Sequence, residues 1–197
     1  MADIDGSADS LLFIGDGDGG INNRVIAMDW QGQVRFVEGG AAAGKAPGQF
    51  SSPHSVAYYD VAQLLFVADR GNNRTQVFSA TSGKYLTQWT CTQPGTPWAV
   101  RAFSLQTFLF VADSSSHVVN VLDLSAATPS NPGDCNLLTS VNVDPTMCSG
   151  PHEIDVDPSN GELYIACMGA PSKVMRYKME CAQGADCFAD LRKGGKN

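Results

Sequence analysis

At 197 residues, 43% hydrophobic and 17% charged, the chain is sized for one domain with a sizeable core. Twenty glycines and ten prolines give a loop-rich, all-β profile rather than a helical one. A formal net charge of −7 argues against nucleic acid or an anionic membrane as the main partner, and no apolar run is long enough for a membrane helix.

Taken in order, the chain opens on Ala2-Asp3-Ile4-Asp5, which matches the tail of a strand such as Ile154-Asp155-Val156-Asp157 without its beginning. Leu11–Asp16 is an apolar run of strand length, and a Gly-rich turn leads to a second strand over Arg24–Met28. Gly39–Gly48 is a Gly/Ala loop. From Ser51 to Trp89 the pattern is clearest: a Pro-led strand at Pro53-His54, an apolar strand over Leu64–Asp69, a polar turn over Arg70–Arg74, a strand over Thr75–Phe78, a Ser82-Gly83 turn, and an alternating outer strand over Tyr85–Trp89. Cys91–Gly95 links to Pro97-Trp98, Phe108–Asp113 and Val118–Leu122. Ala126–Pro145 reads as a Pro- and Asn-containing insertion. Pro151-His152, Glu162–Cys167 and Lys173–Tyr177 follow, and after Met179 the strand pattern stops. No helix of ordinary length is predicted.

These strands are one unit written four times. Leu11–Asp16, Leu64–Asp69, Phe108–Asp113 and Glu162–Cys167 align position for position, and their last residues recur at intervals of 53, 44 and 54. Four short strands at such a period predict a β-propeller, with blades over about 3–40, 51–90, 96–143 and 150–179 in a unit spanning 1–179, and a Cys-containing tail over 180–197. Val67-Ala68-Asp69-Arg70-Gly71-Asn72-Asn73-Arg74-Thr75-Gln76-Val77-Phe78 resembles the NHL repeat, a propeller blade. Gly48-Gln49-Phe50, Pro53-His54-Ser55, Ala68-Asp69-Arg70 and Pro151-His152-Glu153-Ile154 together are similar to the peptidyl-hydroxyglycine α-amidating lyase domain, over roughly residues 3 to 178. That resemblance implies a six-bladed propeller, of which about four blades are present.

His54 and His152 hold equivalent places, after Pro, at the start of an innermost strand; those strand ends face the axial channel, where two imidazoles can meet one zinc ion. The lyase family implies three such His from alternate blades. Two are matched here, Trp98 stands in the blade between them, and the third is expected upstream of Met1. The resemblance also implies a substrate-anion role for Arg70 and places Glu153 where the family has a calcium-binding Asp. Asp16 and Asp69 are expected to satisfy turn amides, Asp16-Gly17-Asp18-Gly19 has only part of a calcium loop, and His117 is expected in a solvated turn. The family's catalytic Tyr is not found after Asp16-Gly17, and Tyr58 and Tyr59 do not replace it by motif.

Two readings of function follow: a lyase-like metalloenzyme cleaving a carbinolamide C–N bond, incomplete as this chain, or a non-catalytic extracellular binding or assembly module with a peptide or protein ligand. Cys135 with Cys148, and Cys181 with Cys187, bracket loops and suit bridges in an oxidising compartment, hence a secreted or secretory-lumen protein, although no signal peptide is read after Met1. Because lyase-like blades are shaped for six, an open arc is expected, whose free edges pair with missing blades, another protein or a second copy; a closed four-bladed ring is the alternative.

Overall fold

A computed structural model describes residues 2–4, 11–19, 21–90, 95–103, 107–157, 161–170 and 172–178. It contains four antiparallel meanders, each a separate sheet. The first comprises β1 (Ala2–Ile4), β2 (Leu11–Asp16), β3 (Asn23–Asp29) and β4 (Val34–Gly40). The second comprises β5 (Pro53–Tyr59), β6 (Leu64–Asp69), β7 (Arg74–Ser79) and β8 (Tyr85–Trp89). The third is β9 (Pro97–Phe103), β10 (Phe108–Asp113), β11 (Val118–Asp123) and β12 (Leu137–Asn142). The fourth is β13 (Pro151–Val156), β14 (Glu162–Cys167) and β15 (Lys173–Lys178). Among the described residues the only helix is one 3-10 turn, Arg70–Asn72.

The turns repeat because the same backbone problem recurs. Gln63, Thr107 and Gly161, each just before a second strand, all have positive φ, and so do Asn73 and His117, each just before a third strand. Gly, Asn and His tolerate that conformation best, whereas Gln63 and the β-branched Thr107 adopt it at a steric cost. β12 corrects the expectation for Ala126–Pro145, which is not simply an insertion: residues 137–142 pair with β11 as the outer strand of the third sheet. His117 is also unlike its expectation. It is half-buried, and its Nδ1 is shielded from water with no hydrogen-bond partner among the described residues.

The sheets stack in series, β2 on β5, β5 on β9 and β9 on β13. Each junction has its own apolar core. Phe13, Val25 and Ala27 of the first sheet meet Val56, Leu65, Val67 and Phe78 of the second. Phe66, Ala68 and Val77 of the second meet Val100, Leu109 and Val111 of the third. Phe110, Ala112 and Val121 of the third meet Ile154, Leu163 and Ile165 of the fourth. These are three cores for four sheets: among the described residues no apolar cluster joins the fourth sheet to the first.

The cysteines pair differently from expectation. Cys148 bonds Cys167, not Cys135, with Cα atoms 5.2 Å apart. Cys135 is bridged as well. Cys181 and Cys187 lie outside the described residues. The reason for the Cys148–Cys167 pair lies in the repeat. At the end of β6, Asp69 accepts a hydrogen bond from the Ser51 amide, 2.8 Å, and at the end of β10, Asp113 accepts from the Thr96 amide, 3.0 Å. Each clamps the loop entering an inner strand. Cys167 occupies that position in β14, and its bond to Cys148 makes the same clamp covalent.

Candidate functional site

The inner strands place their Pro-led starts side by side. His54 and His152, two blades apart, have ring centroids 4.9 Å from one another in an edge-on arrangement. Trp98, from the blade between, lies 5.0 Å from His54 and 5.1 Å from His152. The guanidinium of Arg70 sits over the Trp98 ring at 4.4 Å, within cation–π range. Its remaining ionic contact is loose, 3.6 Å to the exposed Asp18. Thus His54, His152 and Arg70 come together, and the residue that joins them is Trp98. Its place immediately after Pro97, equivalent to His54 and His152, was the signal for it in the sequence.

His54 is held firmly. It is buried, and its Nδ1 lies 2.7 Å from the Trp98 carbonyl oxygen. A carbonyl only accepts, so Nδ1 carries the proton and the Nε2 lone pair of the neutral ring is left for a ligand. A hydrogen bond from one ring nitrogen to a carbonyl fixes both the tautomer and the orientation of an imidazole. Burial pushes the His54 pKa below its ordinary 6.5, and the nearby charges of Arg70 and His152 act in the same direction; the hydrogen bond to Trp98 opposes them. Beside it, the Ser55 hydroxyl accepts from the Val100 amide at 3.1 Å, fixing β5 to β9.

Asp16 and Glu153 each have surroundings of their own. Asp16 is taken by Arg24 at 2.8 Å and Asn22 at 3.1 Å. Gly17 packs so closely on Pro53 that a Cβ there would fall 2.1 Å from its ring, which accounts for the glycine by blade packing. Glu153 has a buried Oε2 with no partner among the described residues, and burial pushes its carboxyl up to about 7. Among the described residues, no three His, Cys, Asp or Glu side chains cluster as a metal site. Tyr58 stacks on Phe13 and Tyr59 is buried in the second core, so neither is aimed at the His pair.

The two shifted groups set opposite pH trends. Glu153 has a folded pKa above its unfolded value of about 4.5, so its favourable contribution is complete below 4.5 and is lost as pH rises through about 7. Glu153→Gln is therefore expected to raise stability at pH 8 and leave it unchanged near pH 4.5. A fully buried group so shifted would be worth about 3 kcal/mol; solvent screening reduces this to about 1–2 kcal/mol. His54 has a depressed folded pKa, so its contribution is present above 6.5 and is lost as pH falls through the folded value. Urea midpoints at pH 4.5, 6 and 8 check both; a Glu153→Gln effect that does not vary with pH would contradict the assignment.

No protein-family model matches the chain. Among curated proteins it is similar to NHL repeat-containing protein 3 from Mus musculus and from Homo sapiens, in each case 34% identical over 168 residues, covering 84% of this chain and 46% of the relative. It thus spans about half the length of these relatives. A shorter likeness, 35% identical over 63 residues, links 32% of this chain to 18% of a probable peptidyl-alpha-hydroxyglycine alpha-amidating lyase from Caenorhabditis elegans. A solved structure of a putative 6-phosphogluconolactonase from Bacteroides uniformis superposes with a TM-score of 0.66 at 14% identity, covering 92% of this chain and 54% of that one, and shows likeness of fold alone. The chain is an NHL-repeat β-propeller chain, homologous over 84% of its length to NHL repeat-containing protein 3 and partly similar to amidating lyases.

Proposed function

We propose that this chain is a binding module whose axial mouth holds an anionic ligand beside a zinc ion, and that it does not by itself complete the lyase reaction. The observation that carries this reading is the His54–His152 pair. Zn–N bonds of about 2.0–2.1 Å place two imidazole centroids at most about 6 Å apart around one ion, and the observed 4.9 Å falls within that span. The fixed tautomer of His54 fits the same role. Bound zinc would act there as a Lewis acid on an oxygen of the ligand. Arg70, spread over Trp98 and only loosely paired, is oriented to take a carboxylate in two-pronged fashion. The lack of a Tyr after Asp16-Gly17, and the packing of Tyr58 and Tyr59 away from the site, support a binding role over catalysis. The disulfide supports residence in an oxidising compartment, and we place the protein in the secretory lumen or outside the cell.

Zinc titration in competition with a chromophoric chelator tests this. One zinc per chain is expected, and His152→Ala should weaken it at least about tenfold. Arg70→Ala should leave zinc affinity within about twofold while abolishing retention of a short peptide with a free carboxylate. An affinity unaffected by His152→Ala, or no zinc retained at modest excess, would show that the two imidazoles only close the strand ends.

A further inference from the structure

We propose that Asp18 makes the axial mouth selective for a peptide whose C-terminal residue carries a basic side chain. The proposal rests on the reading of Arg70 as the carboxylate site and names the class of ligand. The turn between β2 and β3 delivers Asp18 to that place. At its base, Asp16 accepts from Asn22 at 3.1 Å and from Arg24 at 2.8 Å. Gly17 then lies against Pro53 with no room for a Cβ, so the turn is seated on the residue before His54. Asp18 is the next side chain along. Its Oδ1 lies 3.6 Å from the Arg70 guanidinium, and its negative field reaches His54.

Asp18 differs from the aspartates of the repeat. Asp16, Asp69 and Asp113 are all spent on a guanidinium or on turn amides. Asp18 is 75% exposed at its side chain, and among the described residues its one ionic contact is too long for a hydrogen bond. It therefore adds nothing firm to the fold, yet it sets the charge beside Arg70. A ligand carboxylate on the free edge of that guanidinium comes close to Asp18, and the two like charges repel. A ligand with a neutral end leaves that repulsion uncompensated. A cation about 6–8 Å from the ligand carboxylate reaches Asp18 across the guanidinium, relieves the repulsion and adds an ion pair. A C-terminal Lys or Arg has that span.

Two coumarin-labelled peptides with free C-terminal carboxylates, Gly-Ala-Lys and Gly-Ala-Gln, test this by fluorescence anisotropy on the zinc-loaded 197-residue chain. The Lys peptide is expected to bind about three- to fivefold more tightly at low salt, as fits one exposed ion pair. Asp18→Asn should erase that preference while tightening the Gln peptide, and about 0.5 M salt should shrink it in the unmodified chain. Asp60→Asn removes a charge beyond the opposite end of β5 and should preserve the preference, which separates Asp18 from the general net charge of −7. A preference that survives Asp18→Asn, or is lost equally with Asp60→Asn, overturns the proposal. So does equal binding of the two peptides that Arg70→Ala abolishes, an outcome that leaves the carboxylate reading standing. Retention of neither peptide, or retention indifferent to Arg70→Ala, overturns both together.

Discussion

Replacing Arg74 by Ala is expected to destabilise the protein by about 3–5 kcal/mol, the range for removing one member of a buried ion pair. Arg74 is 7% exposed and Asp69 is fully buried; their Nε–Oδ2 distance is 2.7 Å. The other four guanidinium protons are also used, by the carbonyls of Lys45 (2.9 Å), Ala46 (3.2 Å) and Gln49 (2.8 Å) and by Gln88 (2.5 Å). One side chain therefore ties β6, β8 and the loop before β5 together. Without it, the Asp69 charge stays buried and three carbonyls lose a donor. Arg74→Lys should recover only part of the loss, since an ammonium cannot fill a five-donor fork. Arg24→Ala serves as the control: Arg24 makes the equivalent contact to Asp16, but with 39% of its side chain exposed, so about 0–1 kcal/mol is expected. Urea unfolding of the three variants measures this directly, and an Arg74→Ala cost no larger than that of Arg24→Ala would refute the keystone role.

That contrast shows what the sequence makes legible. Asp and Arg recur in equivalent places in the first two blades, and the repeat, the strands and the outline of the blades can be read from it. The letters do not show that one pair is buried and saturated while the other is half solvated, because that depends on how the Gly39–Gly48 loop folds back. β12 escaped notice for a related reason. An outer strand buries little, residues 137–142 are largely half-buried or exposed, and without a buried face the period-two signal is weak. At the site, Pro-His spacing placed His54 and His152 at the channel, but their approach, the orienting Trp98 carbonyl and the desolvation of Glu153 all arise between blades.

The second large effect concerns the fourth blade, where spacing along the chain suggested the wrong cysteine partner and the repeat suggests the right one. Cys167 is aligned with Asp69 and Asp113, whose carboxylates both reach back to the residue or two before the inner-strand Pro; Cys148 stands in that region ahead of Pro151. Closing a loop with a sequence separation of 19 residues is worth about 3 kcal/mol. Cys148→Ser with Cys167→Ser is therefore expected to lower stability by about that amount, and reductant should do the same to the unmodified chain. The repeat makes a sharper prediction. In the Cys148→Ser background, Cys167→Asp should be more stable than Cys167→Ser by about 0.5–1.5 kcal/mol, the worth of a hydrogen bond. The carboxylate would take up the amide-clamping role of Asp69 and Asp113, and it would face Lys173, which pairs with position 167 as Arg74 pairs with Asp69. Thermal unfolding of the two double variants, side by side, gives the answer. If the Asp variant is no better than the Ser variant, the disulfide is a local staple and not the fourth blade's version of the repeat's clamp.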